Sequence, residues 1–194
     1  MHSEQRAAFN ADFSDEKYDA LNRCANEGER WPTDFRIAES PIFLTREFVA
    51  EASHAAHEIV GLTRTPDFAR HAQTAIPPGL AVPNEPSHPA FIQVDFAICI
   101  EDGRFVPRLI EFQGFPSLYC FQTFLVRCMR GAYPAIPADW TPYFGGLDDE
   151  SYLGLLRDVI VGNAHPENVV LLEIEPDKQN TRIDFACTES LLGV

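Results

Sequence analysis

Apolar positions in the first 75 residues recur mostly at helical spacing. Phe9, Phe13, Tyr18 and Leu21 predict a helix running to Asn26, with Glu27-Gly28 as its stop. Trp31-Pro32 opens an extended stretch in which residues 35–39 alternate as a short strand does. Thr45 is placed to cap a helix from Arg46 to about Gly61, with Phe48, Ala52, Ala55, Ala56 and Ile59 on one face. Pro66 suits the first position of another short helix. The pattern then breaks. Pro77, Pro78, Pro83, Pro86 and Pro89 punctuate residues 76–89, which reads as an irregular connector and a candidate domain boundary.

Residues 91–100 are dense in β-formers, Glu101-Asp102-Gly103-Arg104 reads as a hairpin turn, and residues 105–112 form the returning strand. Asp95 and Glu111 therefore fall in strands whose other side chains favour burial. Ser117 can cap a helix to about Arg130, with Leu118, Phe121, Phe124, Leu125 and Cys128 as its apolar face. After a Pro/Gly/aromatic loop over 131–146, Asp148 and Asp149 precede a helix to about Val161. Val169 to Ile174 reads as a strand, and Asp177 to Leu192 as a helix stopped by Gly193. Helix, strand and helix at this spacing resemble the opening of a parallel α/β unit.

Composition narrows the partners. The chain has 194 residues, 15 Lys+Arg against 29 Asp+Glu, and a formal net charge of −14. Lys17 and Lys178 are its only lysines. Such acidity argues against nucleic acid and anionic membrane surfaces, which need clustered positive charge. No apolar run is long enough to span a bilayer, and no secretory signal follows Met1. Five widely spaced cysteines (Cys24, Cys99, Cys120, Cys128, Cys187) without a C-x-x-C pair predict reduced, mostly buried thiols and a cytoplasmic protein.

Three residues stand out for chemistry. Glu111 and Gln113, two apart, project from one face of the second strand, and a symmetric turn brings Asp95 opposite them. Two carboxylates and an amide oxygen are hard ligands of the kind Mg²⁺ prefers, although a solvated hairpin face carrying charges fits the same pattern. Other candidates are weaker. Residues 114–117 lack the G-x-S-x-G nucleophile pattern, so Ser117 reads first as a helix cap. His54 and His57 read as surface or packing residues, and Gly145-Gly146 is followed by no Walker lysine. Asp148, Asp149 and Glu150 read as a solvated helix start, while Trp31, Phe35, Phe115, Tyr119 and Tyr143 are pocket or core aromatics.

The run Val94-Asp95-Phe96-Ala97, the Asp-Gly turn, and then residues 107–119 (PRLIEFQGFPSLY) resemble the catalytic segment of the circularly permuted ATP-grasp proteins. The likeness is to the glutathionylspermidine synthase-like branch and covers about residues 91–122. It implies that Asp95, Glu111 and Gln113 are magnesium ligands, Gln113 standing where the family has Asn. Gln93 occupies the place of an Arg that faces the reacting phosphate, so Gln93 and Ser117 are the implied cofactor-contacting positions.

The resemblance also implies a fold of mixed α+β and α/β class. It would be an ATP-grasp half-domain on an antiparallel hairpin sheet with packed helices, plus the start of a Rossmann-like βα unit. The expected organisation is a mainly helical region over 1–85, the metal-binding half over 86–145, and an incomplete Rossmann-like unit over 146–194. The chain would be the N-terminal part of an ATP-dependent carboxylate–amine ligase, with Mg²⁺ and ATP as cofactors and small-molecule or peptide acids and amines as substrates. As an isolated chain it is expected to be inactive. Gln93 and Gln113 equally suit a binding module that holds nucleotide or peptide without turnover, and the acidity suits a protein-interaction domain.

Overall fold

Seven helices and one antiparallel hairpin form the regular structure of the computed structural model, which describes residues 1–26, 30–115 and 117–194. In chain order these are α1 (Ser3–Asp12), α2 (Asp15–Asn26), α3 (Arg46–Thr63), α4 (Pro66–Ala75), β1 (Gln93–Glu101), β2 (Arg104–Gln113), α5 (Tyr119–Ala132), α6 (Asp149–Ile160) and α7 (Ile183–Leu192). Single 3₁₀ turns occur at Pro166–Asn168 and Pro176–Lys178. The class is mixed α+β.

Where local capping signals were strong, the predicted helices form. Thr45 Oγ1 accepts from the Phe48 amide at 3.3 Å, and Thr65 Oγ1 from Phe68 at 3.2 Å, with Pro66 in the first turn behind it. Asp148 and Ser151 close a reciprocal capping box at the start of α6. The single helix expected over 9–26 is instead two. Ser14 interrupts it, its Oγ accepting from the Lys17 amide at 3.3 Å, and Lys17 Nζ ties back to Asp12 at 2.5 Å. The stop expected at Glu27-Gly28 lies outside the described residues.

Two predicted strands are absent. Residues 35–39 find no strand to pair with, and the Ile37 carbonyl instead accepts from the Tyr18 hydroxyl at 2.6 Å. Residues 169–174 carry the β-propensity expected of them but lie unpaired and irregular, with Val170, Leu172 and Ile174 each more than 80% exposed. β-propensity reflects fit to a pleated neighbour, and no neighbour is present among the described residues. Nor is any parallel strand pair found there.

The chain forms two compact units. One comprises Met1 and Leu44–Pro116; the other comprises His2–Phe43 and Ser117–Val194. In the first, α3 packs on β2 and α4 follows α3, with Phe48 and Ala52 the buried hydrophobic residues. The proline-rich stretch over 76–89 lies within this unit and is almost wholly exposed.

The second unit holds the larger core. α5 packs against both α2 and α7, burying Leu21, Ala25, Cys120, Phe121, Cys128, Ile183, Ala186, Cys187 and Leu192. Cys24 of α2 and Cys128 of α5 are joined in a disulfide with Cα atoms 5.6 Å apart, which corrects the expectation of five reduced thiols. Their pairing was invisible to spacing because 104 residues separate them. Cys99, half-buried, and Cys120, buried, are free thiols.

Aromatic contacts close the same unit over the loop after α5: Phe9 packs at a tilt against Tyr133 with 4.6 Å between centroids, and Phe43 meets Trp140 edge-on at 5.3 Å. The Tyr133 hydroxyl is buried without a hydrogen-bond partner among the described residues. A buried donor left unmade costs free energy. Tyr133→Phe is therefore expected to leave stability unchanged or raise it by up to about 1 kcal/mol, measured as the shift in urea midpoint; a loss above that size would show a hidden partner for the hydroxyl.

Candidate functional site

Asp102 and Gly103 both take positive φ, 49° and 75°, as a two-residue type I′ hairpin turn demands. The strands they join pair Gln93 with Gln113 and Asp95 with Glu111. Residues directly opposite in an antiparallel pair share a face, so Asp95, Glu111 and Gln113 project together as the spacing predicted, and Gln93 joins them. Val94 and Phe112 occupy the other face. The strands are less buried than their composition suggested: the sheet has only two strands, Glu111 is exposed, and Ile100 and Ile110 are about two-thirds exposed.

One irregularity changes the layout. The register shifts between Asp95 and Phe96, whose partners are Glu111 and Leu109, leaving Ile110 as the extra residue of a β-bulge. In a regular ladder Arg108, three residues from Glu111, points to the opposite face. The extra residue restores parity, so Arg108, opposite Ala97, shares the face of Asp95 and Glu111.

The half-buried Asp95 carboxylate is held by both neighbouring amides. Gln93 Nε2 donates to Oδ1 at 2.8 Å, and Gln113 Nε2 donates to Oδ2 at 3.3 Å. A carboxylate has about four lone-pair sites, so this arrangement orients Asp95 without exhausting it. A half-turn of the Gln113 amide presents its oxygen to the same space. Among the described residues no group of three or more His, Cys, Asp or Glu gathers as for a metal ion. Any cation here depends on two carboxylates and an amide oxygen.

The hairpin's cations are engaged. Arg108 Nε donates to Glu101 Oε1 at 2.5 Å, its Nη2 also bonds Glu101, and Arg104 Nη2 lies 3.5 Å from Glu51 of α3. The Arg108 hydrogen bonds hold the Glu101 carboxyl below its usual range.

Ser117 belongs to the other unit, immediately before α5. Its expected capping role falls to a distant residue. The Asp184 carboxylate of α7 accepts from the amides of Leu118, Cys120 and Phe121 at 2.9, 3.0 and 2.8 Å. Leu118 turns into the left-handed region (φ 70°) at that junction. Asp184 is only 7% exposed, and its burial raises its pKa although these backbone donors pull the other way. Local sequence gave no sign of it.

A cavity of about 450 Å³ opens in this second unit beside Arg130, Tyr143, Asp148 and Asp149. Its polar groups already serve one another: Asp148 caps α6, Tyr143 Oη donates to Asp149 Oδ1 at 2.7 Å, and Arg130 bonds the Trp140 carbonyl. Of the other aromatic candidates, Trp31 and Phe35 are packed against Phe185 and Phe121, while Phe115 is fully exposed. His54 and His57 are exposed on α3.

No family model, curated protein or solved structure matches this chain. Its functional reading therefore stands on the hairpin itself. Among the described residues no helix is long and apolar enough to cross a membrane.

Proposed function

We propose that the hairpin face is a divalent-cation site that presents Mg²⁺ to the phosphates of a nucleotide, ATP by preference, as part of an ATP-grasp-like half-domain. The observation that carries this reading is the direct opposition of Asp95 and Glu111 in the ladder, with Gln113 bonded to Asp95 beside them. Asp95 and Glu111 supply charge, Gln113 supplies an amide oxygen after rotation, and Gln93 orients Asp95. Hard oxygen donors of this kind suit Mg²⁺, which keeps several waters and bridges phosphate oxygens. The bound metal would neutralise charge on a transferring phosphoryl group, the demand of a carboxylate–amine ligase that works through an acyl phosphate.

Binding without turnover is the form of this function that the chain's own residues support. Phosphoryl transfer needs cations over the developing charge. On the hairpin Arg104 and Arg108 are both paired with carboxylates before any ligand binds, and Gln93, where the resemblance places an Arg, carries no charge. The substrate acid and amine belong to the ligase form of the proposal.

Isothermal calorimetry tests the binding form. ATP is expected to bind weakly and only with Mg²⁺ present. Glu111→Ala is expected to weaken this at least tenfold. Binding that is independent of Mg²⁺, or unchanged by Glu111→Ala, contradicts the assignment.

A further inference from the structure

We infer that Arg108 is the phosphate-contacting cation of the hairpin site and that Glu101 holds it aside until an anionic ligand arrives. The inference rests on the metal–phosphate reading of Asp95 and Glu111 and adds a ligand-recognition residue to it. The bulge at Ile110 is the observation that carries it. Without that extra residue Arg108 lies on the far face and cannot share a ligand with Glu111.

Down the shared face the paired residues are Gln93 with Gln113, Asp95 with Glu111, Ala97 with Arg108, Cys99 with Val106, and Glu101 with Arg104. Arg108 thus sits one pair step from the carboxylates, about 7 Å along the strands, and two pair steps, about 14 Å, from the pair that contains Glu101. Its cross-strand neighbour Ala97 is the smallest side chain on this face, so little covers the space between the guanidinium and Asp95. Cys99 and Val106 offer no hydrogen-bonded hold on the way to Glu101. The whole molecule has no lysine on the hairpin; Arg104 is tied to Glu51 on α3.

The charges on this face explain both positions of Arg108. With no cation bound, Asp95, Glu111 and Glu101 all attract the guanidinium, and Gln93 and Gln113 already occupy Asp95. Glu101, at the turn, is fully available and takes Arg108 through two hydrogen bonds. A cation held by Asp95 and Glu111 reverses the local sign, and a polyphosphate on that cation places anionic oxygens beside Ala97. A planar guanidinium binds such oxygens in bidentate fashion, more strongly than a carboxylate-paired surface position rewards it. The ligand class is therefore a metal-bound polyphosphate, and recognition of the base is not required for it.

Titrations of Mg²⁺-ATP and Mg²⁺-tripolyphosphate into the full chain and its variants, with Mn²⁺ alone titrated in parallel, test the inference. Arg108→Gln is expected to weaken both polyphosphates at least tenfold while Mn²⁺ affinity stays within threefold. Arg108→Lys should recover part of that loss. Glu101→Gln, which frees Arg108, should tighten both polyphosphates about threefold or more. Arg108 and Glu101 are exposed, and unfolding curves of each variant should match that of the parent. Undiminished polyphosphate binding by Arg108→Gln, with binding still lost in Glu111→Ala, overturns the role of Arg108 and leaves the metal site standing. Unchanged Mn²⁺ and polyphosphate binding in Glu111→Ala overturns the metal reading itself.

Discussion

Asp184→Ala is expected to destabilise the second unit by about 3–5 kcal/mol, the combined cost of stranding several buried backbone donors. The carboxylate satisfies three amides at the start of α5, and those of Cys120 and Phe121 are in the core. An alanine leaves them without an acceptor, and each stranded donor costs about 1–3 kcal/mol. At roughly 2–4 °C per kcal/mol for a chain of this size, the thermal midpoint should fall by on the order of 10 °C. Asp184→Asn, which keeps one acceptor oxygen, should lose less.

The pH dependence has a definite sign. Burial raises the folded-state pKa of Asp184 above its ordinary value of 3.8. Between these two values the folded chain binds more protons than the unfolded chain, so the contribution of Asp184 to stability falls as pH rises through that window and is level above it. The exposed carboxyls of Glu16, Glu39, Glu47 and Asp148, whose pKa values are lowered, act in the opposite direction. The specific signature is therefore the difference between parent and Asp184→Asn in urea unfolding. That difference should shrink from pH 4 upward and then become constant; a difference that grows with pH would contradict the burial argument.

Reducing the Cys24–Cys128 disulfide should cost a further 2–4 kcal/mol or so, through release of a long loop in the unfolded chain. The bond closes 104 residues and ties α2 to α5, the pair of helices that carries much of the core. Chain-entropy reasoning alone gives a loop of that length about 4.7 kcal/mol, an upper bound above the roughly 2–4 kcal/mol that disulfides typically deliver. Cys24 is an exposed residue and Cys128 a buried one. Melting curves with and without dithiothreitol should differ for the parent chain and coincide for Cys24→Ser. Coincident curves for the parent would show that the bond contributes nothing.

These two features also show where reading the sequence stops. The hairpin was legible because its signals are local: a β-rich run, an Asp-Gly turn, and a returning run. The face shared by Asp95, Glu111 and Gln113 followed from strand periodicity alone. The bulge at Ile110 was not legible, because a register shift is decided by pairing across the strands, and with it went the correct side of Arg108. At α5 the nearby Ser117 was the obvious cap, yet a carboxylate 66 residues from Leu118 supplies it. The disulfide is distant in the same sense. For residues 169–174 local propensity was real, but a strand requires a neighbour, and none is among the described residues. Sequence pattern located the hairpin; cross-strand pairing fixed how its residues face one another.

We propose above all that Asp95 and Glu111 together hold a divalent cation. Electron paramagnetic resonance of Mn²⁺ titrated with the chain, which reads free cation directly, tests it without any nucleotide. One site per chain is expected for the parent, competed by Mg²⁺, with Asp95→Asn and Glu111→Gln each weakening it at least tenfold while unfolding curves stay unchanged. Mn²⁺ binding that survives both substitutions, or that is absent from the parent, would contradict it.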